Sequence, residues 1–375
     1  MLNVLHIAPG IDGGGVGGVI YNYLSHMDLK DMHVEVVVRD YGHRQFLHDR
    51  FDELGISVHY IVQRKKNLKK HFEEISKIIR DGKFDIVHCH DQNWSIIYLK
   101  IAEKMGVPVR IAHSHLTVQT SDRIKIAISN LFTTSLKKTA TGYFACGKAA
   151  GIYMWGSEIA NSSKLYVMRN AVDAQRFQFS DSIRDEYRKK FGFGDKTVIG
   201  HIGRFNEQKN HLFLINIFKV YLKIDSTALL ILIGIGELEE QIRELVIKNE
   251  MQNNVIFLGQ REDVRELYNA FDVFILPSLY EGLPVVGVEA QANGLPCIFS
   301  DTISNEVVIL PDTEVLKLSD SAQMWAHVIR NLANRKQNDR RDAIDLINAA
   351  GYNIEVEAEK LRKYYFTEVS MRKRK

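Results

Sequence analysis

Short runs rich in Val, Ile and Leu recur along the chain, with helix-length amphipathic segments between many of them. In the first half they are NVLHIAP (3–9), HVEVVVRD (33–40), SVHYIV (57–62), FDIVHCH (84–90), VRIAHSH (109–115), GYFACG (142–147) and KLYVMRN (164–170). The pattern restarts at KTVIGHIGR (196–204) and continues through ALLILIGIG (228–236), NVIFLG (254–259), DVFILPS (272–278), PCIFSD (296–301) and EVLKL (314–318). Continuous apolar runs, in place of two-residue alternation, mark strands covered on both faces, and strands alternating with helices build parallel sheets. Between the two sets, NAVDAQRFQFSDSIRDEYRKKFGFGD is polar and irregular before it turns helical, which puts a boundary near 172–185. The expectation is an α/β chain of two doubly wound, Rossmann-like domains facing across a cleft. The first spans 1–175 and is completed by a C-terminal helix over 354–375; the second spans 176–353.

Composition narrows the function classes. No apolar run approaches the ~20 residues that cross a bilayer, and MLNVLHIAPG reads as a first strand, not an export signal. Three cysteines far apart, Cys89, Cys146 and Cys297, argue against a disulfide framework and for a reducing cytoplasm. A formal charge of only +3 does not suggest a dedicated nucleic-acid binder. The positive charge is clustered, however, in QRKKNLKKH (63–71), SMRKRK (370–375) and the amphipathic DRIKIAISNLFTTSLKKTATGY (122–143). Such clusters read either as solvated faces or as contacts to anionic lipid at the inner face of the cell membrane.

Ligands of doubly wound sheets bind beyond the carboxyl ends of the strands, and the chemistry-bearing motifs lie there. Gly13, Gly14, Gly15, Gly17 and Gly18 follow the first strand and open a helix, where amides at a helix start attract an anion. They do not form a clean G-x-G-x-x-G, and no convincing ribose acid for a nicotinamide cofactor follows. Arg204 and Lys209 follow the first strand of the second half and make a candidate diphosphate clamp. In PSLYEGLPVVGVEAQANGLPC, Glu281 precedes a helix opened near Pro284, and Glu289 falls inside it among valines. Two carboxylates invite a glycosidase reading, but hydrolysis explains neither the cations nor the glycines. A phosphorylated donor explains both. His88 with His90 and His113 with His115 end two strands. Without H-E-x-x-H or CxxC, a sugar hydroxyl or phosphate is a better partner for His113 or His115 than a metal, and His88 and His90 read as satisfied strand-end residues.

The motifs GGVGGVIYNYL, HSHLT, NAVDAQRF, GRFNEQKN, GIGELEEQIRELV, VIFLGQREDV and FILPSLYEGLPVVGVEAQANGLPCIFSD cover nearly the whole chain. In that order they resemble the retaining nucleotide-sugar glycosyltransferases of family four, with the GT-B fold, in the branch that builds bacterial capsule and exopolysaccharide. The resemblance implies that Arg204 and Lys209 neutralise the donor diphosphate, with Gly203 beside them and amides of Gly14, Gly15, Gly17 and Gly18 assisting. It places Glu289 on the ribose and Glu281 on the transferred sugar, with Pro277 and the amides of Gly282, Leu283, Pro284 and Val285 nearby (Pro284, lacking an N–H, through its backbone only). Gly259 and Arg261 sit near the base, and His113 or His115 is the first-domain histidine. The implied partners are a nucleotide-sugar donor, UDP-linked, and a glycan or lipid-linked sugar acceptor, with no cofactor and no metal. One departure is GIGELE, where Ile235 stands in place of the family's acid. A nucleotide-sugar epimerase, another GT-B enzyme, or a non-enzymatic nucleotide-sugar binding protein would share much of this pattern.

Overall fold

The computed structural model describes residues 1–12, 15–115, 133–334 and 340–374. The chain divides into two compact units, one of Met1–Ala171 with Ile354–Lys375 and one of Val172–Asn353. Val172 pairs with Asn353 in an isolated parallel bridge, so the chain enters and leaves the second unit side by side.

The first unit is built on seven strands: β1 (Leu2–Ile7), β2 (Met32–Arg39), β3 (Ser57–Ile61), β4 (Ile86–Cys89), β5 (Val109–Ser114), β6 (Gly142–Ala145) and β7 (Leu165–Val167). All pair in parallel, in the order β3-β2-β1-β4-β5-β6-β7. One face carries Leu5, Ile7, Val37, Val87 and Ala112 against Ile75 and Ile79 of helix Leu68–Gly82 and Leu99 of helix Ser95–Lys104. Asn67 caps the first of these helices by accepting from the Lys70 amide, and Lys83 at φ 45° ends it. The C-terminal helix Ile354–Lys373 buries Ala358, Leu361, Tyr365 and Val369 and packs beside helix Gly15–Ser25. Its basic end is tied down: Lys373 pairs with Asp85 at 2.7 Å, and Arg372 reaches the Thr141 carbonyl at 3.2 Å.

The second unit has six parallel strands, β8 (Val198–Ile202), β9 (Leu229–Ile233), β10 (Val255–Gly259), β11 (Val273–Leu276), β12 (Cys297–Ser300) and β13 (Thr313–Leu316). Their order is β10-β9-β8-β11-β12-β13. Leu230, Leu232, Val273, Ile275 and Ile298 pack against Leu214 and Phe218 of helix His211–Tyr221 and Trp325 of helix Ala322–Asn334. In each sheet the winding reverses at one point, between β1 and β4 in the first and between β8 and β11 in the second. At such a switch point the connections leave in opposite directions and open a crevice at the carboxyl ends. After β9 the chain turns sharply at Gly234, φ 137°, where a Cβ would come 2.2 Å from the Gly203 carbonyl. That approach draws the β8 and β9 ends together. Among the described residues no helix is long and apolar enough to cross a membrane.

Candidate active site

At the switch point of the second unit, the loops after β8 and β11 are stitched together. Asn206 caps the short turn Glu207–Lys209, and Asn210, in the left-handed region at φ 56°, breaks that turn from the next helix. The Leu279 amide donates to the Gln208 carbonyl at 2.8 Å, and the Asn210 side chain donates to the Pro277 carbonyl at 3.1 Å. This frame delivers Lys209 Nζ to Glu281 Oε1 at 2.6 Å. Ser278 donates to the same oxygen at 3.0 Å and the Gln208 amide to Oε2 at 3.1 Å. The side chains of Lys209 and Glu281 are only 14% and 9% exposed. The stem of Lys209 lies over Gly203, where a Cβ would meet three of its carbons at 3.0 Å.

The pair changes the expectation for two residues. Arg204 and Lys209 were to present two separate cations, with Glu281 facing a sugar on its own. Instead Lys209 is matched by Glu281, and the local excess of charge rests on Arg204. That guanidinium is exposed and has no partner among the described residues. Beneath, His201 Nδ1 donates to the Ile275 carbonyl, 2.9 Å away, and burial holds its pKa down at about 3, so it adds no charge.

From the β11 loop the chain passes through Gly282 and Leu283, all buried, to helix Val285–Ala292, whose N-cap is Pro284. Amides of a first helical turn have no intrahelical acceptor, so Val285 and Val286 face whatever lies at that end. Glu289 is half-buried on this helix and receives the Tyr268 hydroxyl at 3.0 Å. Burial pushes its carboxyl up to about 7, while the Tyr268 bond acts the other way. At the end of β10, Gly259 is left-handed at φ 64°, and Arg261 forks onto Asp263 at 2.7 and 2.6 Å.

In the first unit, helix Gly15–Ser25 begins within the glycine run, so Gly15, Gly17 and Gly18 form its first turn. Gly17 is the position that packing requires, since a Cβ there would lie 2.8 Å from Ile11 Cα. Gly13 and Gly14 lie outside the described residues, as does 122–132 of the basic segment 122–143. The histidine pairs stand together. The register sets His6 beside His88; the rings of His88 and His90 stack with centroids 4.2 Å apart, and those of His113 and His115 lie tilted at 3.9 Å. His6 Nδ1 lies 3.1 Å from His90 Nε2, and His90 Nδ1 lies 2.8 Å from His115 Nε2. His88 Nδ1 meets the Tyr365 hydroxyl at 2.6 Å. His88 and His90 are thus partnered, as strand-end residues should be, although His88 Nε2 is buried without a partner. His113 is fully enclosed and His115 keeps 8% exposure, so His115 is the one nearer the surface. Two triads, His6–His88–His90 and His90–His113–His115, have ring nitrogens within 4.8 Å of one another. The ring planes within the two triads are inclined to one another by 20° to 44°.

The basic stretch 63–71 is less uniform than it reads. Arg64 turns inward to Asp91 and to the Tyr98 hydroxyl, with its guanidinium 4.3 Å over Trp94, and His71 is buried. Lys65, Lys66, Lys69 and Lys70 remain exposed beside Leu68. Sequence reasoning missed Gln208, Ser278, Tyr268, His6 and Tyr365. The first two stand inside quoted motifs, but nothing in their types marks them as holders of Glu281.

With this geometry in hand, the likenesses to known proteins are specific. The family model described as Glycosyltransferase Family 4 matches residues 13–176, and the one described as Glycosyl transferases group 1 matches residues 183–346. EpsF of Bacillus subtilis (strain 168), a protein described as a glycosyltransferase, is 31% identical over 362 residues, covering 94% of this chain and 93% of its own. CapH of Staphylococcus aureus, a capsular polysaccharide biosynthesis glycosyltransferase, is 23% identical over 377 residues, covering 98% and 99%. The crystal structure of HepE from Anabaena, in complex with UDP-glucose, superposes with a TM-score of 0.79 at 17% identity, over 98% of this chain and all of that one. Its fold is the fold described here.

Two expectations follow from the geometry alone. Glu281→Ala leaves a buried ammonium without its partner and costs about 3 kcal/mol or more, whereas Lys209→Met with Glu281→Leu costs far less. Urea denaturation measures both; equal costs would contradict the pair as drawn. Burial holds the pKa of His6 and His115 at about 3, below the usual 6.5. Unfolding lets them bind protons, so their contribution is complete above pH 6.5 and is lost as pH falls toward 3. Circular dichroism on acidification should show unfolding across that window, later in a His6→Phe chain if that variant folds.

Proposed function

Because the chain belongs to the family-four glycosyltransferases of GT-B fold, we propose that it is a retaining hexosyltransferase of bacterial surface-polysaccharide synthesis. It moves a hexosyl or N-acetylhexosaminyl group from a UDP-linked sugar to a hydroxyl of a glycan or lipid-linked sugar. The observation that carries this reading is the Lys209–Glu281 pair at the second unit's switch point, with Arg204 open on one side and Glu289 one helix along. A UDP-sugar complex of HepE, on the same fold, and the capsular role of CapH support the donor and the pathway.

In the reaction the acceptor oxygen bonds to the anomeric carbon, and the bond from that carbon to the phosphate oxygen breaks. Attack comes from the leaving-group face, and the departing phosphate oxygen takes the acceptor's proton. Glu281 accepts from Lys209, Ser278 and Gln208, so most of its lone pairs are engaged and it makes a poor nucleophile. It fits better as the group that fixes Lys209 and meets a sugar hydroxyl. Arg204 and Lys209 stabilise charge on the leaving diphosphate, the work a metal ion does in other transferases. Glu289 takes the ribose hydroxyls, and Gly259 and Arg261 lie toward the base. Exposed Lys65, Lys66, Lys69 and Lys70 draw the first unit to anionic lipid, ~1 kcal/mol each near such a surface.

Arg204→Ala should lower kcat by on the order of 10²–10³, and product analysis by NMR should show an α-linked sugar from an α-linked donor. Release of free or epimerised sugar without acceptor, or inversion, would overturn the reading. Flotation with anionic liposomes checks the membrane contact. Wild type should float, and a chain with the four lysines changed to Gln should not; a wild type that stays at the bottom sinks that part.

A further inference from the structure

We propose that Tyr268 is a positioning residue for Glu289, fixing which carboxylate oxygen is offered to the ribose; the inference rests on the reading of Glu289 given above. Tyr268 lies on helix Val264–Ala270 and is fully buried. Its hydroxyl is 3.0 Å from Glu289 Oε2 and 3.1 Å from the Val286 carbonyl oxygen. A phenol has one proton to give. While Glu289 is ionised, the carboxylate is the stronger acceptor and takes it. Once Glu289 binds a proton, the acid donates to the phenol oxygen and the phenol turns to Val286. Glu289 Oε1 has no protein partner among the described residues. Tyr268 therefore holds one oxygen from beneath and leaves the other open. An ionised carboxylate only accepts, and ribose hydroxyls donate, so the open oxygen suits them only above the carboxyl's pKa.

The tyrosine is itself held. Arg340, buried, donates to the backbone carbonyls of Tyr268, Phe271 and Asn293 at 3.0, 3.1 and 3.2 Å, with its guanidinium 4.3 Å over Phe179. The other charges around the pair are matched or exposed: helix Asp181–Lys190, packed on the tyrosine's own helix, brings Arg184 and Arg188, which pair with Asp272. Helices Ala174–Phe177 and Ala343–Ala349 bring Arg176 and Asp345, both exposed, and the turn Asn305–Val307 brings Glu306, exposed. The tyrosine's own helix brings Arg265 and Glu266, which pair with each other. Strand β12 brings Cys297, whose thiol burial keeps protonated. Desolvation is the main force on the Glu289 carboxyl, holding it at about 7, and the Tyr268 bond opposes it.

Isothermal titration of UDP and of its 2′,3′-dideoxy analogue into the full chain, between about pH 6 and pH 9, tests the assignment. UDP affinity in the wild type should fall as pH drops through about 7, and the dideoxy analogue should lack that limb. Tyr268→Phe should move the limb to higher pH by about one unit, because the charged form loses a donor. Replacing Tyr268 with 3-fluorotyrosine, a stronger donor, should move it lower, and this chain carries the test if Tyr268→Phe does not fold. A limb unmoved in both chains, while Glu289→Gln still weakens UDP, would show that Tyr268 does not position Glu289. If Glu289→Gln binds UDP as the wild type does, the ribose reading itself falls, and the inference falls with it.

Discussion

The contact on which the second unit's site depends is the ion pair between Lys209 and Glu281, residues 72 apart in sequence. Neither side chain could be buried alone without a cost of several kcal/mol, so each requires the other. Their meeting fixes the loops after β8 and β11 against one another, and the backbone bonds between 206–210 and 277–281 follow the same line. Gly203 and Gly234 are consequences of it. One leaves room for the lysine stem, and the other lets β9 close on the carbonyl behind it. A phosphate-bearing ligand would then find a lysine already ordered in place of a mobile one, so part of the ordering is done in folding.

Charge in this site is graded from the surface inward. Arg204 is open, Lys209 is paired, and His201 below is neutral because burial disfavours its protonated form. Glu289 is an acid whose ionisation falls near neutral pH, since desolvation raises it and a single phenol offsets only part of that. The first unit uses burial differently. Five histidines at the ends of β1, β4 and β5 stack as neutral rings, linked by hydrogen bonds from His6 through His90 to His115. Apolar surroundings keep them uncharged, which makes the stack tolerable in a core and fragile in acid.

Much of this was legible in the sequence, for definite reasons. The thirteen strands among the described residues lie in the apolar runs read from the sequence, and the central ones, β4, β8, β9, β11 and β12, are largely apolar because they are buried on both faces. Glu281 and Glu289 could be told apart because Pro284 marks the helix start between them. The pairing of Lys209 with Glu281 could not be read, since spacing along a chain carries no information about which loops a sheet order brings together. His6 was hidden for the same reason: its role comes from register with His88, 82 residues later in the chain. Tyr268 sat in a helix pattern where an aromatic means core, and it is core; only its hydroxyl's 3.0 Å approach to Glu289 gives it a second meaning. Arg64 was misread as part of a basic face because Asp91, which draws it inward, lies 27 residues on.

The central claim is that the second unit's switch point receives the nucleotide-sugar. Hydrogen–deuterium exchange with and without UDP, read peptide by peptide, tests it most directly. The account predicts slowed exchange in 203–209 and 279–289, together with the β10 end around 259–261. Protection that leaves these three segments unchanged and appears elsewhere in the chain would contradict it.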